Sequence, residues 1–319
     1  MRLIFCGTPQ FAVPSLKRLF SEHDIQIAAV ITQPDRPSGR GNEISFSPVK
    51  QTALDAGLTI HQPQKIRAPE FQSVLQELAP DAIVIIAYGQ IIPARLLTIP
   101  KLGWINLHAS LLPKYRGAAP INWAIVNGET STGLTTMRID AGMDTGDILL
   151  QQELAIGAKE TAPELAARMS DAGAPLMLAT LCGLAVGSLV GLPQNHVEAT
   201  MAPILKKEDG RIGWRLPSQQ IFNRIRGFAP WPGATTSFHG QSCQLWGEAI
   251  GAKQVVAGVA AGHPGTIVGV FWEGQPTWMV VCGHATLLRL TAVKLEGRKQ
   301  ISASEFANGA RLTTGDHFN

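Results

Sequence analysis

Residues 82–87 read Ala-Ile-Val-Ile-Ile-Ala. An unbroken apolar run of this length, with no polar residue at alternate positions, is the pattern of a strand covered on both faces. Such strands belong to parallel sheets with helices packed above and below. Toward the N-terminus, Leu3–Cys6 and Gln26–Thr32 carry the same signal and read as further buried strands. Phe11–Phe20, Pro48–Ala56 and Pro69–Leu78 read as helices. The last two open on proline, whose missing N–H is tolerated in a first turn. Toward the C-terminus, Gly103–His108, Thr132–Ile139 and Ile148–Leu154 are expected as strands and Ala119–Val126 as a short helix. Pro163–Val186 is expected as a long helical segment, bent or broken near Pro175. The alternation of strand and helix predicts an α/β fold with a Rossmann-like, mostly parallel sheet.

The pattern changes after Gly187. Beyond Gly191–Asn195, one helix is expected at Ser218–Arg226. The rest is short apolar runs divided by Gly and Pro: Ala234–His239, Gln244–Trp246, Gly265–Phe271, Thr277–Cys282 and Ala285–Val293. That spacing predicts a small C-terminal β-barrel. The expected organisation is a catalytic domain over 1–189, a linker over 190–208 and a barrel over 209–319. Residues 1–208 carry 17 Lys/Arg against 18 Asp/Glu, and residues 209–319 carry 10 against 6. A basic second domain suits an anionic partner, although a solvated surface would show the same balance. No apolar stretch reaches the roughly 20 residues of a membrane span. The run Leu3–Cys6 is too short for the apolar core of a signal peptide. Cys6, Cys182, Cys243 and Cys282 form no CxxC pair, so neither a disulfide framework nor a zinc site is expected. A cytoplasmic monomer without metal or membrane contact is the expectation.

In an open α/β sheet, ligands bind beyond the carboxyl ends of the strands, and three segments fall there. Gly7-Thr8-Pro9 lacks the GxGxxG spacing of a dinucleotide loop and reads as a turn. Asn106 and His108 stand two apart on a strand, so their side chains leave on one face. An amide donor beside an imidazole can stabilise an oxyanion and shuttle a proton, but a polar strand end can equally be structural. Arg138–Asp147 holds three carboxylates and two glycines between two strands. It can be a polar loop, or it can deliver a carboxylate to the imidazole and stabilise its charged form. The spacing of a calcium loop is not met.

Taken together, "INLHASLLPKYRGAAPINWAI" (105–125) and "GLTTMRIDAGMDTGDIL" (133–149) resemble the signature of the folate-dependent formyltransferases. "IFCGTPQFAVPSL" (4–16) and "VITQPDRPSGRG" (30–41) resemble the branch that acts on methionyl-tRNA, and the likeness runs on through "AYGQIIP", "NRIRGFAPWPGA" and "LEGRKQISASEF". The resemblance implies transfer of a formyl group from 10-formyltetrahydrofolate to initiator methionyl-tRNA, without a metal. It implies Asn106, His108 and Asp144 as the catalytic trio. Ser110, Leu111, Leu112 and Pro113 would be the folate segment, with Asp140 on the loop that approaches the pterin. Arg36 and Arg40, in the insertion 33–49, would meet the tRNA acceptor stem, and Lys206 and Lys207 would add phosphate contacts. The second domain would be an oligonucleotide-binding-like barrel. Gly213, and Gly283-His284, depart from the residues common in that family. Formyltransferases with a nucleotide or sugar acceptor, formate-releasing hydrolases and an inactive RNA-binding module are the rival readings.

Overall fold

The computed structural model describes residues 1–38, 43–250 and 262–319 and divides the chain into two compact units. The first unit comprises 1–120, 131–155 and 164–203, and the second 121–130, 156–163 and 204–319.

The first unit is built on a seven-stranded sheet. Its strands are β1 (Arg2–Gly7), β2 (Gln26–Ile31), β5 (Ile60–His61), β6 (Ala82–Ile86), β7 (Trp104–His108), β8 (Ser131–Arg138) and β9 (Ile148–Ala155), in the order β5-β2-β1-β6-β7-β8-β9. The pairings from β5 to β7 are parallel, and β8 and β9 are added antiparallel. All five residues of β6 are buried, as the unbroken apolar run requires. On one face, Ile4, Cys6, Ile83 and Ile85 pack with Phe71, Leu75 and Trp104. Phe71 and Leu75 come from α3 (Pro69–Leu78), whose apolar residues recur at helical spacing. The chain runs outward from β1 through β2 to β5, then returns to build β6 to β9 on the other side. The strand order therefore reverses between β1 and β6, where an open α/β sheet makes its ligand crevice. A cavity of about 570 Å³ lies there, lined by Thr8, Gln33, Asp35, Phe46 and Tyr88 among others.

One local expectation is revised, and three elements are added. The helix α6 (Ala162–Ala185) runs through Pro175 without ending. Pro175 and Asp171, whose carbonyl loses its partner, both face solvent, where water can take the bond. The insertion is a small ribbon, with β3 (Arg36–Ser38) paired antiparallel to β4 (Glu43–Ser45). The short α4 (Ala94–Leu97) and α8 (Ala303–Ala310) were not expected. Ser302 and Glu305 form a reciprocal capping box at the start of α8, a signal legible in Ser-x-x-Glu. The helices α1 (Val13–Phe20), α2 (Pro48–Asp55) and α5 (Pro120–Val126) lie within a residue or two of their expected ranges.

The second unit carries α7 (Ser218–Gly227) and six antiparallel strands. These are β10 (Thr235–Phe238), β11 (Gln241–Ile250), β12 (Ile267–Trp272), β13 (Gln275–Cys282), β14 (Thr286–Leu295) and β15 (Ile301–Ser302). Among the described residues the path β10-β11-β14-β13-β12 ends on β10 and β12, with β15 paired to β14. Residues 317–319 lie across both edges. Phe318 N donates to Gly265 O at 3.0 Å, just before β12, and Asn319 N donates to Ser237 O of β10 at 2.9 Å. The sheet is thereby closed into a barrel, which removes its exposed edges. Phe318 fills the interior with Trp214, Phe238 and Phe306.

Candidate active site

The site begins with the end of β7. Trp104, Ile105 and Leu107 anchor the strand by burial, and Asn106 and His108 emerge on its shared face. The Asn106 amide has no partner among the described residues, whereas His108 is buried at 6 % exposure. His108 Nε2 lies 2.9 Å from Tyr115 O. A carbonyl oxygen can only accept, so Nε2 carries the proton. The other ring nitrogen, Nδ1, faces Asp144 Oδ2 at 3.7 Å. That is within ion-pair range but too long for a direct hydrogen bond, so Nδ1 is uncommitted.

Asp144 is set by the loop between β8 and β9. Its φ of +52° is left-handed, a conformation that strains a non-glycine residue. Its carboxylate is oriented by the Gly117 N–H, 2.8 Å from Oδ2. Gly117 itself sits at φ +117°, and a Cβ there would come within 2.7 Å of Ala202 O. Only glycine can bring that N–H so close to its neighbour and to the carboxylate.

The stretch 110–113 runs against the sheet. Ser110 and Leu112 are buried, and Leu111 and Pro113 are half-buried. The Ser110 hydroxyl donates inward to Lys114 O at 2.6 Å. Thr135 Oγ1 donates to Ser110 O and accepts from Leu112 N, while Gln151 donates to Leu112 O. The Ser110 hydroxyl and the backbone groups of Ser110 and Leu112 thus fix the loop that carries Tyr115. Asp140 is exposed, and its carboxylate accepts from Gly142 N at 3.0 Å and Thr145 Oγ1 at 2.7 Å, folding its own loop. Ile91, in the loop after β6, and Met143, in the loop between β8 and β9, are exposed at 88 % and 63 %.

The charged residues expected to meet RNA are spread more widely. Arg36 is exposed on β3, and Arg40 lies outside the described residues. Lys206 and Lys207 are exposed beside a 3-10 turn of the second unit. Gly283 touches Arg215 O so closely that a Cβ would lie 1.8 Å from it, and His284 takes φ +57°. His284 therefore holds the left-handed turn position that a glycine occupies more easily.

Sequence reasoning missed several residues. Lys50, at the start of α2, pairs with Asp35 and lies 4.0 Å over the Phe46 ring, gripping both stems of the β3–β4 ribbon. Gln62 adds a hydrogen bond to Asp35 at 2.9 Å. The Lys50 and Gln62 hydrogen bonds hold the Asp35 carboxyl below the usual carboxylate range. Buried Arg116 and Gln194 also belong near the site. A lone Gln in a loop gives no sequence signal, but an Arg inside an apolar stretch does.

Residues 1–181 match the family model described as formyl transferase, and residues 204–311 match that of the formyl transferase C-terminal domain. The methionyl-tRNA formyltransferase of Solibacter usitatus is 50% identical over 316 residues, covering 99% of this chain and 98% of its own. That of Koribacter versatilis is 50% identical over 318 residues, covering 99% and 98%. The chain belongs to the formyl transferase family, among the methionyl-tRNA formyltransferases. Solved formyltransferases share the fold at lower identity. The N-formyltransferase from Helicobacter canadensis, in complex with folinic acid and dTDP-3-aminofucose, superposes with a TM-score of 0.62 at 19% identity. It covers 90% of this formyltransferase and 98% of its own chain. The sugar 3N-formyl transferase WlaRD gives 0.62 and 19%, covering 94% and 99%. Among the described residues no helix of this formyltransferase is long and apolar enough to cross a membrane, and no cluster of three metal-ligating side chains forms.

Proposed function

We infer that this formyltransferase transfers the formyl group of 10-formyltetrahydrofolate to the free amino group of methionyl-tRNA. The observation that carries the chemistry is the pairing of Asn106 and His108 on one strand face with Asp144 facing Nδ1. The donor, when bound, supplies an activated formyl carbon. Exposed apolar Ile91 and Met143, with the unpartnered Asn106 amide, offer the apolar and polar groups that a flat heterocycle with polar edges requires.

The residues act on the reaction as follows. Negative charge gathers on the formyl oxygen as the amine attacks. The Asn106 amide donates to that oxygen, and one such donor is worth about 3 kcal/mol. His108 works through Nδ1, because Tyr115 O holds the Nε2 proton. As imidazolium, Nδ1–H donates to the oxyanion, and as neutral imidazole Nδ1 takes up a proton. Asp144 faces Nδ1 and receives the amine proton, directly or through water. The folate amine leaves once protonated. No serine or cysteine nucleophile enters: Ser110 donates to Lys114 O, and burial pushes the Cys243 and Cys282 thiols up to about 12.

On this reading residues 1–189 are the catalytic domain and 190–208 a linker. Residues 209–319 are a tRNA-binding barrel, to which Lys206 and Lys207 add salt-dependent phosphate contacts. Initiator methionyl-tRNA is the preferred acceptor, and Arg36 and Arg40 of the β3–β4 insertion engage its acceptor end. Ser110–Pro113 and Asp140 serve the folate by shaping the loops around it. The protein works as a cytoplasmic monomer. The deciding assay incubates it with 10-formyltetrahydrofolate and either methionyl-tRNA or glycinamide ribonucleotide. Formylation of the tRNA alone is expected, and transfer to the nucleotide instead would refute the reading.

A further inference from the structure

Gln194 is buried at 6 % exposure in the segment that follows α6, yet all four hydrogen-bonding positions of its amide are filled. Its Oε1 accepts from Arg116 Nε at 3.0 Å and Arg116 Nη2 at 2.6 Å. Its Nε2 donates to Asp144 O at 2.9 Å and to Gly146 O at 2.7 Å. These two carbonyls belong to Asp144 itself and to Gly146 two residues on, so they tie down the chain leaving the left-handed Asp144, a conformation that persists only when its surroundings hold it. Arg116 Nη2 also reaches His196 Nδ1 at 3.1 Å, so the guanidinium is tied to the segment at two points.

The same segment reaches the His108 side of the pair. Thr200 Oγ1 accepts from Tyr115 N at 2.9 Å, and Thr200 O accepts from Arg116 N at 2.8 Å. Tyr115 O is the acceptor that fixes the His108 proton on Nε2. A single stretch of chain, 194–200, therefore braces the backbone behind both members of the ion pair.

We propose that Gln194 is a positioning residue for the Asp144–His108 pair, with Thr200 supporting it from the Tyr115 side. This rests on the reading of Asp144 as catalytic. Gln194 touches no reacting atom. It holds Asp144 Oδ2 opposite Nδ1, and displacement by about 1 Å is enough to slow turnover strongly.

The test separates donation from anchoring. Gln194→Glu keeps the Arg116 partner and adds charge to it, so the segment stays anchored, but it removes both N–H donors to Asp144 O and Gly146 O. Gln194→Glu and Gln194→Ala are both expected to lower kcat roughly 10- to 100-fold, with KM for the formyl donor within about twofold of wild type. In single-turnover measurements on the Asp144→Asn background, Gln194→Glu should slow the reaction by less than about twofold further, because the group it positions is gone. Circular dichroism melts of each variant establish that it is folded. A folded Gln194→Glu protein with wild-type kcat, or an equal fold-loss in both backgrounds, would overturn the positioning role alone. Wild-type turnover in Asp144→Asn would instead remove the catalytic reading of Asp144, and the positioning role with it.

Discussion

His108 shows how much a single side chain's surroundings decide. An imidazole has two nitrogens, and here the carbonyl of Tyr115 claims one of them at 2.9 Å. Only Nδ1, on the side of Asp144, is thereby left able to gain or lose a proton without breaking that contact. On the proposed mechanism, replacing the ring removes both the oxyanion donor and the proton carrier. We expect His108→Ala to lower turnover by at least about 100-fold while folate binding changes far less. Steady-state formylation and titration of the folate read the two quantities separately. Near-normal turnover in a folded His108→Ala protein would contradict the role. Asn106 and His108 are legible as a pair because a strand alternates its side chains, whereas spacing shows Asp144 only as one of three carboxylates in a loop and the family resemblance singles it out. The Gly117 N–H that selects among those three comes from a different loop, 27 positions away, and leaves no local trace.

At the scale of elements, the β3–β4 ribbon is the feature least explained by sheet packing. Its stems are gripped from α2, where Lys50 meets Asp35 on one side and Phe46 on the other. The Asp35 carboxyl is held below its usual range, first by Lys50 and then by Gln62. Its folded pKa lies below its unfolded one. The stability it contributes is therefore complete above about pH 4 and is lost as pH falls through the folded value. Asp35→Asn should lower the thermal midpoint slightly near neutral pH, with a deficit under about 1 kcal/mol. That deficit should shrink as the pH is taken below about 4. Melting curves across this range check the sign, and a deficit that grows with acidity would rule the ion pair out. Arg40 lies outside the described residues, between Gly39 and Gly41 in the sequence, and on the proposed reading it meets the tRNA acceptor end. Arg40→Ala is expected to cut methionyl-tRNA formylation at least about tenfold, with folate affinity unchanged. Wild-type efficiency with initiator methionyl-tRNA would show that the ribbon is not a recognition element.

For the molecule as a whole, each unit closes its own core by a different device. The first relies on a sheet covered on both sides, with β6 fully buried. The second relies on residues 317–319 to join the edges at β10 and β12. Phe318 is fully buried there and stacks near Trp214, ring centroids 5.7 Å apart. Truncating a buried aromatic of this size removes about 3–5 kcal/mol. Phe318→Ala should lose stability of that order in denaturant unfolding, with amide protection falling first in β10 and β12. A loss below about 1 kcal/mol would mean that the barrel does not depend on this closure.

By itself, the sequence determined the parallel sheet, the following barrel and the strand that presents Asn106 and His108. These follow from periodicities of two and 3.6, which need no partner to be visible. Its motifs also carried the resemblance to the folate-dependent formyltransferases. Only the tertiary structure decided how Asp144, which the resemblance singles out, is held against the imidazole, which imidazole nitrogen is free, and where Lys50 and Gln194 make their bonds. It also decided that Ser110 and Asp140 turn their polar groups toward their own loops. The physical reason is common to all of these. Each depends on hydrogen bonds between residues brought together by loops, and a loop's path is set by packing against the whole sheet rather than by its own composition.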